Sequence, residues 1–497
     1  MGIVRKQSLR NLITTYIGFG LGAINTLVLY VNFMSDTYYG FLGFILSTAF
    51  ILIPFLAFGV HNTIVKFYSS FDKSDQDYFL SWMLLLPLVI IIPTAFLIFT
   101  NYQAIAGLLS STNDIISGYV WYIFIIALSS AYFEIFFAWA KVQLKSTFGN
   151  FLKEVFHRLG VTLLLVLLAL DFFEISIFIK LLMYIYLLRM IIMGYYSFKL
   201  RAPKIRLTYS KQSKVTEKLY SRRWEILKYS ILIVVAGSVA TLLIDIDKFM
   251  IGKYVAIENV AYYIVAIYVA TVIGVPSSAM HQITYPMVAI MLNEKQINGM
   301  KTLYKKSSLS LLIISGLLFL LIICNIKSFY LVVGSGYAVG LHVVLLIGLA
   351  QLLDNSLGIN NAIIYNSEYY YLVLVIGAII IFLAIVLNIL LIPRLGINGA
   401  GIATLIVTLG YSLAKLIIVQ LKFNIQPFTI ESIKTMGVIV ILFVTFYFWD
   451  FPFHPILAIG AKGIILSSIY LILSYKLKLS LDINNAMDRV LFYVFKK

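Results

Sequence analysis

The 497-residue chain is 61% hydrophobic and only 12% charged. A soluble domain carries about 25% charged residues, and here apolar stretches of about 20 residues, the length that crosses hydrocarbon, recur along the whole chain. Composition therefore excludes a soluble globular protein, and the stretches are too long for a β-barrel, whose strands need only about ten alternating residues.

About fourteen transmembrane helices are expected, over 10–33, 39–60, 79–99, 116–138, 150–170, 174–198, 229–250, 260–283, 305–327, 337–358, 369–392, 398–420, 433–449 and 455–475. Arg5, Lys6 and Arg10 precede the first run, but the run continues to Phe33 without a small-residue cleavage site. It reads as a retained span and not a signal peptide. Gly18 and Gly22 give it a close-packing face. Three glycines in five residues also soften the helix, each by about 1 kcal/mol against alanine. Tyr38, Tyr39, Gly40, Pro54 and His61 punctuate the start and end of the second span. Span five carries Lys153, Glu154, His157 and Arg158, and span six carries Lys180 and Arg189.

The hydrophilic, basic stretch 199–228, with Pro203, Ser210, Ser213 and Trp224, separates six spans from the rest. Tyr262, Tyr263, Pro276 and His281 then echo the punctuation of the second span. Both halves begin on the same side, as in a parallel repeat about an axis along the membrane normal. The expected division is an N-terminal lobe over 1–200, a basic cytoplasmic linker over 201–228, a second lobe over 229–422, and two additional helices with a cytoplasmic tail over 423–497. Asp245 and Asp247 end span seven, with the bland reading of Asp247 an exposed loop carboxylate. Cys324, the single cysteine, lies inside span nine and supports no disulfide framework. Asp354 lies in span ten, Lys415 in span twelve and Lys462 in span fourteen, where either lysine could reach an interface. Pro393 is expected to stop a helix and Gly396 to supply a positive φ at a tight reversal.

With the N-terminus in the cytoplasm, most of the 38 Lys and Arg fall on the cytoplasmic side. The net charge of +17 is thus an orientation signal and not a nucleic-acid footprint. Both termini are placed in the cytoplasm, and no nucleic-acid partner is expected. The longest external loop, near 100–115, leaves no room for a large catalytic domain. No metal, nucleotide or Ser/His/Asp signature is present in the sequence, so neither a cofactor nor an enzymatic activity is expected.

Three segments resemble the polysaccharide-biosynthesis, O-antigen-type (Wzx-like) flippases of the multidrug/oligosaccharidyl-lipid/polysaccharide (MOP) exporter superfamily. The first is Asn388-Ile-Leu-Leu-Ile-Pro393-Arg394-Leu-Gly396-Ile-Asn398-Gly399-Ala400-Gly401-Ile-Ala403-Thr404. The second is Asp247-Lys248 with Gly252 and Tyr254, followed by Tyr262-Tyr263 and Ala266. The third is Ser8, Arg10 and Asn11 with Tyr39-Gly40 and Gly59. The resemblance implies an all-α integral membrane fold with two six-helix lobes and two C-terminal helices, like that of multidrug and toxic compound extrusion (MATE) proteins. It also implies a flippase of a bacterial cytoplasmic membrane, moving a polyprenyl-diphosphate-linked oligosaccharide by alternating access for surface polysaccharide export. Partners would be the lipid-linked oligosaccharide, membrane lipids, H+ or Na+ as coupling ion, and polysaccharide-assembly proteins.

Charges inside spans carry the functional expectation, because a cation at mid-depth costs roughly 2.5–3.5 kcal/mol on insertion scales and must face water or a carboxylate. A diphosphate needs a cationic cavity, for which the candidates are Arg158, Arg189, Lys180, Lys415 and Arg10. Glu154 and Arg158, at i, i+4, share a helix face and can pair, while Lys153 is expected to snorkel. Glu154, Asp245, Asp354 and Glu134 are candidates for ion coupling. His61 and His281 read as solvated turn residues. A cation-coupled multidrug antiporter is the alternative within the superfamily, and would favour an acidic pocket. A membrane polysaccharide polymerase or ligase is the alternative of another class, and would need the external loop this chain lacks.

Overall fold

A computed structural model describes residues 2–110, 112–203, 214–452 and 454–480, with 484, 485 and 488. The described residues are helices joined by short turns, in two compact units, Met1–Ala261 and Tyr262–Lys497.

In the first unit, α1 (Gly2–Ile24) passes through a wide π turn, Asn25–Leu29, into α2 (Tyr30–Phe33). Ser35 caps α3 (Asp36–Leu56) by accepting from the Tyr38 N–H at 3.4 Å. Next come α4 (Val60–Phe67), α5 (Lys73–Leu85), α6 (Leu88–Thr100), α7 (Tyr102–Leu109) and α8 (Val120–Lys141). A second π turn, Leu152–Phe156, joins α9 (Thr147–Phe151) to α10 (His157–Ala169), and α11 (Ile175–Leu200) and α12 (Lys214–Tyr254) complete the set. α3 is the central helix, packed on α8 and α12, and α11 covers α8. That position explains why Phe41, Leu42, Phe44 and Ile45 are all fully buried, since consecutive residues point to different faces and each face has a neighbour. Asn113 ties the loop before α8 to the end of α12, donating to the Gly252 and Val255 carbonyls at 2.7 and 3.1 Å and accepting from the Ile257 N–H at 3.0 Å.

The second unit begins within α13 (Glu258–Thr271) and continues through α14 (Val275–Asn293), α15 (Ile297–Val333), α16 (Leu341–Asn355), α17 (Asn360–Tyr365), α18 (Tyr370–Leu395) and α19 (Ile397–Phe423). α16 and α18 both pack on α19, while α20 (Ile430–Tyr447) and α21 (Pro455–Lys476) pack on α15.

Twelve of the described helical segments are long and apolar enough to cross a membrane, thirteen if the bent pair Arg222–Val239 and Thr241–Tyr254, with its 54° bend, is one span. One further expected span, 150–170, is helical across the second π turn but carries Lys153, Glu154 and Arg158. It is the least lipid-like of the set because its charges turn inward to a cavity. The chain is a multi-pass membrane protein.

Several expectations change in detail. α12 packs on α3, so span seven lies in the first compact unit, and the described part of the 201–228 stretch from Lys214 onward is the start of α12. Ser210 and Ser213 lie outside the described residues. Pro393 sits inside the last turn of α18 and does not stop it, because only one hydrogen bond is forfeited there; the stop comes at Gly396, φ +57°, ψ −138°, a region closed to side chains bearing a Cβ. Asp247 is buried, not in an exposed loop. His61 lies in α4 and His281 in α14, both half-buried, and neither is in a solvated turn.

Candidate functional site

The first unit encloses a cavity of about 520 Å³ where α3, α8, the second π turn, α10, α11 and α12 meet. Its charged lining is Glu134 of α8, Lys153 and Glu154 of the π turn, Arg158 of α10, Arg189 of α11 and Asp245 of α12. Helix spacing accounts for several of the others: Ser130 lies four residues before Glu134, Tyr186 three before Arg189, and Thr241 four before Asp245. Residues at such spacings share a face, so these polar neighbours could have been found from sequence by projecting each helix from its charge.

Most of the charge in the cavity is already matched. Lys153 reaches across to Glu134 at 2.6 Å instead of snorkelling. Arg158 Nη1 donates to Glu154 Oε2 at 3.1 Å and to the Glu154 carbonyl at 2.9 Å. Lys248 donates to Asp245 Oδ1 at 2.5 Å. Arg189 differs. It is 7% exposed, donates to Ser130 Oγ at 3.3 Å, lies over the Phe133 and Tyr186 rings at 4.3 and 4.9 Å, and its Nε is buried without a partner. Among the described residues no carboxylate pairs with it. The rings contribute about 1–2 kcal/mol by cation–π attraction, but they do not cancel its charge. With Lys248 counted, four cations meet three carboxylates, and the surplus positive charge resides on Arg189.

α1 braces this wall. The Gly18 position lies so close to the Glu154 carbonyl and Arg158 Nη1, which would be 2.7 Å from a Cβ, that only glycine fits without moving them. Asn25, 4% exposed in the first π turn, donates to the Arg158 carbonyl at 3.0 Å and accepts from Thr162 Oγ1 at 2.7 Å.

The remaining sequence candidates lie elsewhere. Arg10 and Lys180 are exposed and do not line the cavity. In the second unit Lys415, 3% exposed, donates to Asp354 Oδ1 and Asn361 Oδ1, each at 3.1 Å, and Ser412 donates to the same Asp354 oxygen at 2.6 Å. Lys462 is buried, donates to the Cys324 carbonyl at 2.9 Å and lies 3.6 Å from the exposed Asp450 carboxylate in the turn before α21. A second cavity of the first unit, about 330 Å³, is apolar: its two threonines, Thr48 and Thr94, donate to their own helices' carbonyls at Phe44 and Ile90, 2.7 Å each.

The helical fold is similar to that of several solved membrane transporters. Its solved structural neighbours include the lipid II flippase MurJ in an inward closed conformation, with TM-score 0.66 and 15% identity over 94% of this chain and 98% of that one. An inward-facing multidrug resistance MATE family transporter aligns with TM-score 0.57 and 14% identity, covering 84% of this chain and 98% of that one. A MOP superfamily transporter from Pyrococcus furiosus, described as having a binding pocket of reversed polarity, aligns with TM-score 0.53 and 14% identity over 84% and 96% of the two chains. No family model and no curated protein matches the sequence.

Proposed function

We propose that this protein is a flippase that carries a polyprenyl-diphosphate-linked oligosaccharide from the inner to the outer leaflet of a bacterial cytoplasmic membrane by alternating access. Both termini would face the cytoplasm, and no covalent chemistry would be involved. The observation that carries this reading is Arg189, a buried cation in a cavity with no carboxylate partner among the described residues. An anion is the ligand that resolves its charge, and a guanidinium binds phosphate oxygens in pairs. Arg158, whose pair with Glu154 is a single side-chain hydrogen bond, is the second anion ligand. The likeness to a lipid II flippase supports the fold required.

The antiporter alternative needs a carboxylate free to receive a cation. Glu134, Glu154 and Asp245 are each held by a cation here, so the uncommitted charge favours an anion.

The test is Arg189→Ala in a strain that depends on this protein for surface polysaccharide. Loss of a charge-assisted phosphate bond, about 1.5–3 kcal/mol, predicts at least a tenfold fall in exported polysaccharide at unchanged protein level in the membrane. Full export by the variant would remove Arg189 from the substrate path, and efflux of cationic compounds by the wild type would favour the antiporter.

A further inference from the structure

The second unit holds a buried cation that the proposed transport site does not use. Lys462 lies seven residues into α21 from Pro455, about 10 Å along the helix axis, and its side chain is only 3% exposed. An ammonium has three hydrogen-bond donors, and the bond described for this one goes to the Cys324 carbonyl of α15 at 2.9 Å. Its carboxylate neighbour, Asp450, stands in the turn between α20 and α21 with Oδ1 at 3.6 Å, beyond hydrogen-bond reach. That carboxylate is also shared, since Lys327 of α15 lies 3.6 Å from its other oxygen, Oδ2. Among the described residues no other carboxylate comes within ion-pair distance of either lysine. Two cations thus flank one carboxylate without bonding to it, and the cluster carries one surplus positive charge. Asp450 and Lys327 are both exposed, so the cluster opens outward.

Its surroundings set the depth. The Tyr447 ring lies 5.4 Å from Lys327 Nζ, and Phe446, Trp449 and Phe451 stack in sequence at 5.5 and 5.4 Å. Trp and Tyr collect where headgroups meet hydrocarbon, so the lysines stand at the level of lipid phosphates. The flanking surfaces of α20 and α21 are apolar and exposed at Val444, Leu457 and Ile464, which suits acyl chains and no soluble ligand. We propose that the Lys327–Asp450–Lys462 cluster binds the headgroup of an anionic membrane phospholipid, its phosphodiester bridging the two ammonium groups and its chains lying along α20 and α21. The net single negative charge of such a lipid balances the surplus of the cluster. A zwitterionic headgroup brings its own cation and leaves the surplus in place. The site belongs to α15, α20 and α21 alone and is independent of the anionic-substrate reading of the first unit's cavity. It gives the two C-terminal helices a function, that of fastening a lipid against α15.

The experiment places the full chain in phosphatidylcholine nanodiscs containing a minor fraction of dibrominated phosphatidylglycerol or, in parallel, dibrominated phosphatidylcholine. Bromine quenches indole fluorescence at close range, and the Trp449 signal is the difference between each protein and its Trp449→Phe counterpart. Attraction of an anionic headgroup to a lysine should make phosphatidylglycerol bind about fivefold better than phosphatidylcholine, read as stronger quenching of Trp449. Lys327→Gln combined with Lys462→Met should bring the two lipids level. Asp450→Asn removes the competing carboxylate and should raise the preference, a direction that a merely structural role for Asp450 does not predict. Equal quenching by the two lipids in wild type overturns the proposal, as does a preference that survives in the double lysine variant or falls in Asp450→Asn. Inorganic phosphate added at constant ionic strength should leave the preference unchanged; its loss would assign the cluster to a soluble anion and overturn the lipid. Should the double lysine variant fail to fold, the comparison of wild type with Asp450→Asn decides.

Discussion

At the residue scale, membrane-embedded charges divide by whether their partner is permanent. Lys415 and Asp354 illustrate the permanent case. The lysine is almost fully buried, the carboxylate side chain is 31% exposed, and Ser412 and Asn361 complete the hydrogen bonding. Removing one member of such a pair leaves the other charge buried and unpaired, whereas replacing both by neutral groups of similar volume is nearly neutral. Lys415→Ala should therefore lower stability by about 3 kcal/mol, at the low end for a buried pair because Asp354 is partly exposed. Lys415→Met combined with Asp354→Asn should recover most of that loss. Thermal unfolding of the wild type, Lys415→Met, Asp354→Asn and the double variant gives the double-mutant cycle, and additive effects would mean the pair is not coupled. Arg10 and Lys180 show the other limit, exposed cations without such a bond network among the described residues. Sequence treats all three cations alike, because burial and partner are tertiary facts.

At the element scale, the two π turns matter most. Each inserts one extra residue per turn, which widens the helix and redirects the side chains beyond it. The π turn at Leu152–Phe156 is where the cavity's Lys153 and Glu154 are placed, and the one at Asn25–Leu29 supplies the Asn25 amide that bonds the Arg158 carbonyl. The register of the apolar residues identifies the spans, and the i, i+4 spacing brings Glu154 to Arg158, so both were legible in the sequence. The π turns were not, because they follow from what faces the helix: Asn25 and Thr162 are 137 residues apart. The same holds for Lys153 and Glu134, 19 residues apart on different helices. Gly18 was legible as a packing glycine, but its neighbour, the Arg158 guanidinium, was not. Asn25→Leu keeps the volume and removes the bonds, and it should cost about 1–2 kcal/mol. Hydrogen exchange should quicken in α1 and around Arg158, with the α3–α8 packing unchanged. Equal protection in variant and wild type would show that α1 is held by apolar packing alone.

At the scale of the whole molecule, orientation follows from charge distribution more directly than from any single contact. A run of alternating in and out ends, begun with Arg5, Lys6 and Arg10 inside, places the basic turns around Lys141–Lys145, Lys199–Arg201 and Lys295–Lys306 on one side. The turns at 170–174 and 448–454 fall on the other and contain no Lys or Arg. Lysine and arginine resist translocation, so the basic side is expected to face the cytoplasm. Cys324 is buried and the only thiol, so its replacement by serine gives a silent background for labelling. In that background Phe172→Cys, at a side chain 71% exposed in the turn after α10, should react with a membrane-impermeant maleimide in intact cells. Glu294→Cys, exposed in the turn after α14, should react only once the membrane is permeabilised. Reversed labelling would invert the chain in the membrane, and the export direction proposed for the cavity would invert with it. Labelling of both positions in intact cells would mean that the number of spans between them is even and not the odd number that places them on opposite sides.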